Sequence, residues 1–303
     1  MMGPNITLHV GFSKTATTSL QNFVFSRLPG LANLGKPFVN GDQRQPLYEA
    51  ITHLTFAEEL RYDKAETESA FARAIAGRSG PILISSEGFT YSRHNDQALV
   101  ARRLRSIFPA ARIVFTIREQ VAWIRSLYLD DCGRFPLRKP MPRFATWLGW
   151  EKGKRNRGAL QMANFDATVR LYEELFGRER VFVLPHEKML SDRQGFANSL
   201  ASVLEVEQTH LDDLLASLPR SNPAISAKAY HLGLLNYYLI PEAGRRLLER
   251  LPRSIKNLIL SGEPPELDIP ETAVELVGAN VRAGNGALAE RHGLDLRGYG
   301  YLL

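Results

Sequence analysis

The chain has 303 residues, 44% hydrophobic and 23% charged, which excludes disordered, collagen-like and coiled-coil proteins and leaves room for a large α/β core. Its 38 Lys and Arg against 32 Asp and Glu give a formal charge of +6, an excess that suits an anionic ligand but does not demand nucleic acid. A single cysteine, Cys132, excludes an intramolecular disulfide, and no apolar run reaches the ~20 residues that span a bilayer.

In chain order, the first β-branched run, Ile6–Val10, reads as a buried strand. Lys14 and Thr15 interrupt the apolar segment before a leader could form, so the expected compartment is the reducing cytoplasm. A helical pattern over Ser19–Leu28 follows. Ile82–Ser85 reads as the second strand, Asp96–Phe108 as a helix stopped by Pro109, and Arg112–Ile117 as the third strand. Gln120–Leu129 and Asp166–Phe176 read as helices, the latter with Gly177 as its C-terminal stop, and Val181–Leu184 as the fourth strand. Strands alternating with helices predict a parallel sheet covered on both faces. Beyond Leu190 the pattern turns helical, at Phe196–Leu204, Leu232–Leu248 and Thr272–Leu288. The expectation is one domain, 1–303, with a core over about 1–205 and a helical C-terminal extension over about 206–303. Basic residues gather at Arg134, Arg138, Lys139 and Arg143, and again at Lys152, Lys154, Arg155 and Arg157.

The most informative stretch runs from His9 to Leu20, His-Val-Gly-Phe-Ser-Lys-Thr-Ala-Thr-Thr-Ser-Leu. It leaves a strand, turns at Gly11 and enters a helix whose first turn is rich in hydroxyls. Free backbone N–H groups and the helix dipole make such a junction an anion site. Lys14 adds a full charge, and Thr17 and Thr18 are placed to donate to phosphate oxygens. It is not a Walker A loop, which ends in Gly-Lys-Ser/Thr. A plain strand–helix turn with a capping Ser or Thr has the same local look. Arg118, however, ends the third strand, and Ser126 lies eight residues on, along the next helix. In a parallel sheet the strand C-termini share one edge, so Arg118 belongs near the Lys14 loop. A guanidinium with a hydroxyl suits a second phosphate; taken singly, a salt bridge for Arg118 and a solvated helix position for Ser126 are the favoured explanations.

Together these residues resemble the sulfotransferase family. Ser13-Lys14-Thr15-Ala16-Thr17-Thr18-Ser19 looks like that family's 5′-phosphosulfate loop, usually Pro-Lys-Thr/Ser-Gly-Thr-Thr, and Arg118 with Ser126 matches its 3′-phosphate motif. Asn164–Leu190 is similar to the family's later core, and the likeness, over about residues 6–205, is nearest to bacterial carbohydrate-type members. Ser13 replaces the usual proline and Ala16 the usual glycine. Ala16 fits if its φ is negative. The resemblance implies a P-loop-like, three-layer α/β fold around a central parallel sheet. It implies 3′-phosphoadenosine 5′-phosphosulfate as donor, held by Ser13, Lys14, Thr15, Ala16, Thr17, Thr18, Arg118 and Ser126, with no metal. The acceptor it implies is a carbohydrate or small hydroxylated molecule.

Transfer to a hydroxyl needs a proton acceptor and a charge on the leaving oxygen. Lys14 suits the latter. Glu87 is the first ionisable side chain beyond the second strand and the expected base; His94 and His53 are the reserves. His9 reads as a core histidine, and His186 and Glu187 as anchors of a loop. Trp123, Trp147 and Trp150 read mostly as core, though Trp147 and Trp150 flank the basic segments, where a sugar ring could stack. A P-loop kinase and a non-enzymatic binder of anionic polymer are the rival readings; the former lacks Gly-Lys-Ser/Thr and the latter any nucleic-acid motif.

Overall fold

A computed structural model describes residues 5–36, 46–90, 96–133, 141–154, 157–219, 225–241 and 250–303. His94, Arg134, Arg138, Lys139, Arg155 and the end of the Leu232–Leu248 pattern lie outside the described residues, as does the side chain of Cys132.

Five parallel strands form one sheet in the order β2-β3-β1-β4-β5. They are β1 (Ile6–His9), β2 (Ala32–Asn33), β3 (Ile82–Ser85), β4 (Arg112–Ile117) and β5 (Val181–Pro185). Four match the β-branched runs of the sequence, whose near-continuous apolar character is what a strand buried on both faces requires. The fifth, β2, gives no sequence signal because it is two residues long. Its pairing nevertheless continues past the strand: Leu34 N–H donates to the Leu83 carbonyl (2.8 Å) and Lys36 N–H to that of Ser85 (3.0 Å). Gly35 permits this approach, since a Cβ there would lie 2.1 Å from the Ser85 nitrogen.

The first helix opens as α1 (Thr17–Ser19) and continues through Leu20–Phe25 as a π-helix. It ends short of the expected Leu28 because Pro29 disfavours a helical residue before it. Then come α2 (Pro46–Phe56), α3 (Lys64–Ile75) and α4 (Gln97–Ile107), the last capped by Asp96, whose carboxylate accepts from Ala98 (2.9 Å) and Leu99 (3.2 Å) N–H. After β4 follow α5 (Gln120–Gly133), α6 (Phe144–Gly153), α7 (Ala159–Met162) and α8 (Phe165–Phe176). Asn164 caps α8, and Gly177, at φ 90, ends it. The remainder is helical: α9 (His186–Ser191), α10 (Arg193–Leu204), α11 (Gln208–Ala216), α12 (Ala227–Tyr238), α13 (Arg253–Leu260) and α14 (Glu271–His292).

The chain divides into two compact units. The sheet unit comprises Met1–Glu119, Asn164–Pro219 and Ala283–Leu303. On one sheet face Leu83, Val114 and Leu184 pack with Leu20, Val24, Phe196 and Leu200. On the other, Phe115 meets Phe12 (5.8 Å) and Tyr172 (5.2 Å), and Phe12 meets Phe165 (4.4 Å). Helix–sheet–helix is the three-layer arrangement expected of an alternating pattern. The helical unit, Gln120–Ala163 and Arg220–Arg282, centres on Tyr128, ringed by Phe144 (5.3 Å), Trp147 (5.4 Å) and Tyr230 (6.4 Å). Trp147 is therefore core and not a surface for a sugar, whereas Trp150 is half exposed beside Tyr237.

Candidate active site

The loop after β1 is shaped by a buried chain of hydrogen bonds. Gln21 Nε2 meets Ser85 Oγ at 2.9 Å, and Ser85 Oγ meets His9 Nδ1 at 2.7 Å. His9 Nε2 meets Thr116 Oγ1 at 3.3 Å, which meets Thr15 Oγ1 at 2.8 Å. Thr15 donates to the Phe12 carbonyl (2.6 Å), and Thr17 donates to the same oxygen (2.9 Å). One placement of hydrogens serves every link: Gln21 donates to Ser85, Ser85 to Nδ1, Nε2–H to Thr116, and Thr116 to Thr15. It requires a neutral His9, and burial accordingly pushes the imidazole down to about 3. Gly11 leaves room for it, because a Cβ there would lie 2.5 Å from Thr116 Oγ1 and 2.7 Å from His9 Nε2.

Over this chain the backbone turns sharply. Lys14 has φ 65 and Ala16 φ 64, both left-handed. The expectation of a negative φ at Ala16 is thus corrected: alanine occupies a conformation natural to glycine, at a cost of about 1 kcal/mol. Left-handed residues thus stand on either side of Thr15 at the start of the Thr17–Phe25 helix, and alternation of left- and right-handed residues is the backbone pattern that builds anion-binding concavities elsewhere. Thr15 and Thr17 are each 1% exposed and both hydroxyls donate to the Phe12 carbonyl, so the expectation that the Thr17 hydroxyl donates to a phosphate oxygen is corrected. Thr18 is exposed, and its hydroxyl donates to Glu87 Oε1 at 3.4 Å.

Glu87 opens a short 3₁₀ turn, Glu87–Phe89, at the end of β3, capped by Ser86 Oγ accepting from Gly88 N–H at 3.2 Å. Thr90 closes the turn by donating to the Gly11 carbonyl (3.2 Å), which ties the candidate base to the loop. From the end of β4, Arg118 Nη1 donates to the Lys14 carbonyl at 3.3 Å. Lys14, Thr18, Glu87 and Arg118 thus gather at one sheet edge. Ser126 lies half-buried on α5, in the helical unit.

Three residues near Arg118, His186, Glu187 and Tyr301, escaped the sequence reading as parts of this edge. Glu187 Oε1 accepts from Glu119 N–H at 2.9 Å, and its Oε2 accepts from the Tyr301 hydroxyl at 3.0 Å. Burial and the Glu187 charge push the Tyr301 hydroxyl up. His186 is pushed down to about 4, by burial and then by the Arg118 guanidinium. Only the run His186-Glu187 after a strand hinted at this; Tyr301 gave no signal. His53 is engaged structurally, accepting from Asp63 N–H at 2.9 Å and stacked on Tyr62.

With this geometry established, similarity to solved structures becomes informative. A sulfotransferase from Alicyclobacillus acidocaldarius aligns at a TM-score of 0.50 with 19% identity, over 84% of this chain and 100% of that one. The chain has the sulfotransferase fold. The sulfotransferase domain of the Synechococcus PCC 7002 olefin synthase aligns at 0.43 with 13% identity, over 92% and 95% of the two chains. A sulfotransferase from Mycobacterium avium aligns at 0.41 with 12% identity, over 88% and 79%. No family model and no curated protein matches the chain. A sulfotransferase fold fixes the scaffold; chemistry has to be argued from the residues at its edge.

Two predictions follow from the loop. Ala16→Gly should hold or raise stability by up to about 1 kcal/mol in urea unfolding, and Ala16→Val should lower it by about 1–2 kcal/mol. A loss of about 1 kcal/mol in Ala16→Gly, as in an ordinary helix interior, would contradict the left-handed assignment. The second concerns pH. His9 titrates near 6.5 when unfolded and at about 3 when folded, so between those values the unfolded chain binds more protons. Stability should be full above about pH 6.5 and fall as pH drops through this window, by up to about 1.4 kcal/mol per pH unit, with His186 adding to the fall down to about pH 4. His9→Gln should flatten the slope, and an equal slope in that variant would remove His9 as its source.

Proposed function

We propose that the chain is an enzyme that transfers a sulfuryl group from 3′-phosphoadenosine 5′-phosphosulfate to an acceptor hydroxyl on a carbohydrate or small hydroxylated molecule, in the cytoplasm. The observation that carries this reading is the convergence of Lys14, Thr18, Glu87 and Arg118 around a left-handed loop at one edge of a sulfotransferase-fold sheet. What supports an anionic donor here is the pair of left-handed residues Lys14 and Ala16 at a helix start and the Lys14 charge.

The residues divide the work as follows. Backbone N–H groups of Ser13, Lys14, Thr15, Ala16, Thr17 and Thr18 hold the 5′ end, and Arg118 holds the 3′-phosphate. Lys14 Nζ stabilises charge on the phosphate oxygen as the sulfur–oxygen bond breaks. Glu87 takes the proton of the acceptor hydroxyl as its oxygen bonds to sulfur, and Thr18, donating to Glu87 Oε1, orients that carboxylate. The donor, when bound, supplies an activated sulfuryl group; the protein supplies alignment and charge, which lower the barrier only where they favour the transition state.

Donor recognition is tested by calorimetry in the presence of a chelator. 3′,5′-Phosphoadenosine should bind more tightly than AMP, and Arg118→Ala should remove about 1.5–3 kcal/mol from the former alone. Equal affinity for the two nucleotides would defeat the assignment. Chemistry is tested by mass spectrometry of an acceptor panel for an added sulfo group. Glu87→Gln should keep donor affinity and lose about 10²–10⁴ in turnover, and Lys14→Ala should lose turnover more than affinity. Near-normal turnover in Glu87→Gln would return the search to His94, and an unfolded Glu87→Gln would make Glu87 a structural anchor.

A further inference from the structure

The sheet edge that carries Arg118 also receives a residue from far along the chain. After α14, residues 294–303 run through a series of tight turns. Leu294 N–H donates to the Ala289 carbonyl (3.0 Å), Gly298 N–H to the Asp295 carboxylate (2.9 Å) and Gly300 N–H to the Arg297 carbonyl (3.0 Å). Gly300, at φ 83, takes a turn that a side chain would strain. Tyr301 N–H then returns to the Leu296 carbonyl (3.0 Å), and Asn285 Nδ2 donates to the Leu302 carbonyl (2.7 Å). Leu296 is fully buried and Tyr301 is 4% exposed, so the tyrosine ring is seated like a core residue.

The one polar atom of that ring is spent on Glu187. Tyr301 O–H donates to Glu187 Oε2 (3.0 Å), while Glu187 Oε1 accepts from Glu119 N–H (2.9 Å). The direction is fixed, because burial and the Glu187 charge push the hydroxyl up and the phenol keeps its proton. Arg118 is the residue before that amide, and its guanidinium charge is felt at both Tyr301 and His186. A carboxylate so near a guanidinium has two ways to be satisfied: by neutral donors, or by pairing with the cation. Pairing would occupy the planar fork that a phosphate needs. Tyr301 and the Glu119 amide engage one Glu187 oxygen each, which favours the first arrangement.

We infer, taking Arg118 as the group that binds the donor's 3′-phosphate as proposed above, that Tyr301 is a positioning residue of the donor site: it holds the Glu187 carboxylate on the Glu119 amide, out of competition with that phosphate for Arg118. Part of the donor site then lies outside residues 6–205, the stretch whose sequence resembles sulfotransferases.

The test is calorimetry of the full chain with 3′,5′-phosphoadenosine and with AMP, read as the ratio of the two affinities. Tyr301→Phe keeps the ring and removes one hydrogen bond. It should weaken 3′,5′-phosphoadenosine about fivefold, the worth of one ordinary hydrogen bond, and leave AMP, which has no 3′-phosphate, unchanged. Glu187→Gln alone should keep the ratio near wild type, since its amide can still accept from Glu119 N–H and donate to the Tyr301 oxygen. Added to Tyr301→Phe, it should restore the ratio, because no carboxylate is left to compete; a ring that merely fills space would not be rescued in this way. Melting temperatures should hold in all three variants. A wild-type preference for 3′,5′-phosphoadenosine that survives Tyr301→Phe would overturn this inference alone. So would an equal loss for both nucleotides, a loss that Glu187→Gln does not restore, or a Tyr301→Phe chain that fails to fold. Equal binding of the two nucleotides by the wild type would overturn the donor reading and this inference with it.

Discussion

The site rests on one constraint: a polar chain buried at the sheet's C-terminal edge must be satisfied at every link. Gln21, Ser85, His9, Thr116 and Thr15 pass their hydrogen bonds in one direction, ending on the Phe12 carbonyl. A broken link strands a donor or acceptor away from water at about 1–3 kcal/mol, so the members hold one another in place. They come from β1, β3, β4 and the first helix, and their agreement fixes the loop tightly enough to keep Lys14 and Ala16 left-handed without glycine. Thr90, donating to Gly11, extends the same order to the turn that carries Glu87.

This arrangement divides polar groups by direction. Hydroxyls of Thr15 and Thr17 are committed to the Phe12 carbonyl, while the Thr18 hydroxyl meets Glu87. Arg118 is similarly braced: its own Nη1 meets the Lys14 carbonyl, and the next residue's N–H is held by Glu187, itself held by Tyr301.

The sequence made the sheet legible because four strands are buried on both faces and therefore read as unbroken apolar runs. Pro109 and Gly177 marked helix ends by local chemistry, which needs no knowledge of the rest of the fold. Gly11, Lys14 and the run of hydroxyls pointed to this loop as the proposed anion site. What sequence could not give was direction. Thr17 and Thr18 are adjacent and chemically alike, yet one faces Phe12 and the other Glu87, and only the helix phase decides between them. The φ of Ala16 was hidden because alanine carries no left-handed signature. Tyr301 was hidden by distance along the chain, and β2 by its two-residue length.

The neutral state of His9 also limits its reactivity. Its Nδ1 lone pair is occupied by Ser85, its Nε2 carries the proton, and 1% of the residue meets solvent. Such an imidazole has nothing to offer an acylating reagent or a transition-metal ion. Covalent labelling of histidines in the native protein would therefore pass over the one nearest the loop, and any inactivation by such a reagent would report on a different ring.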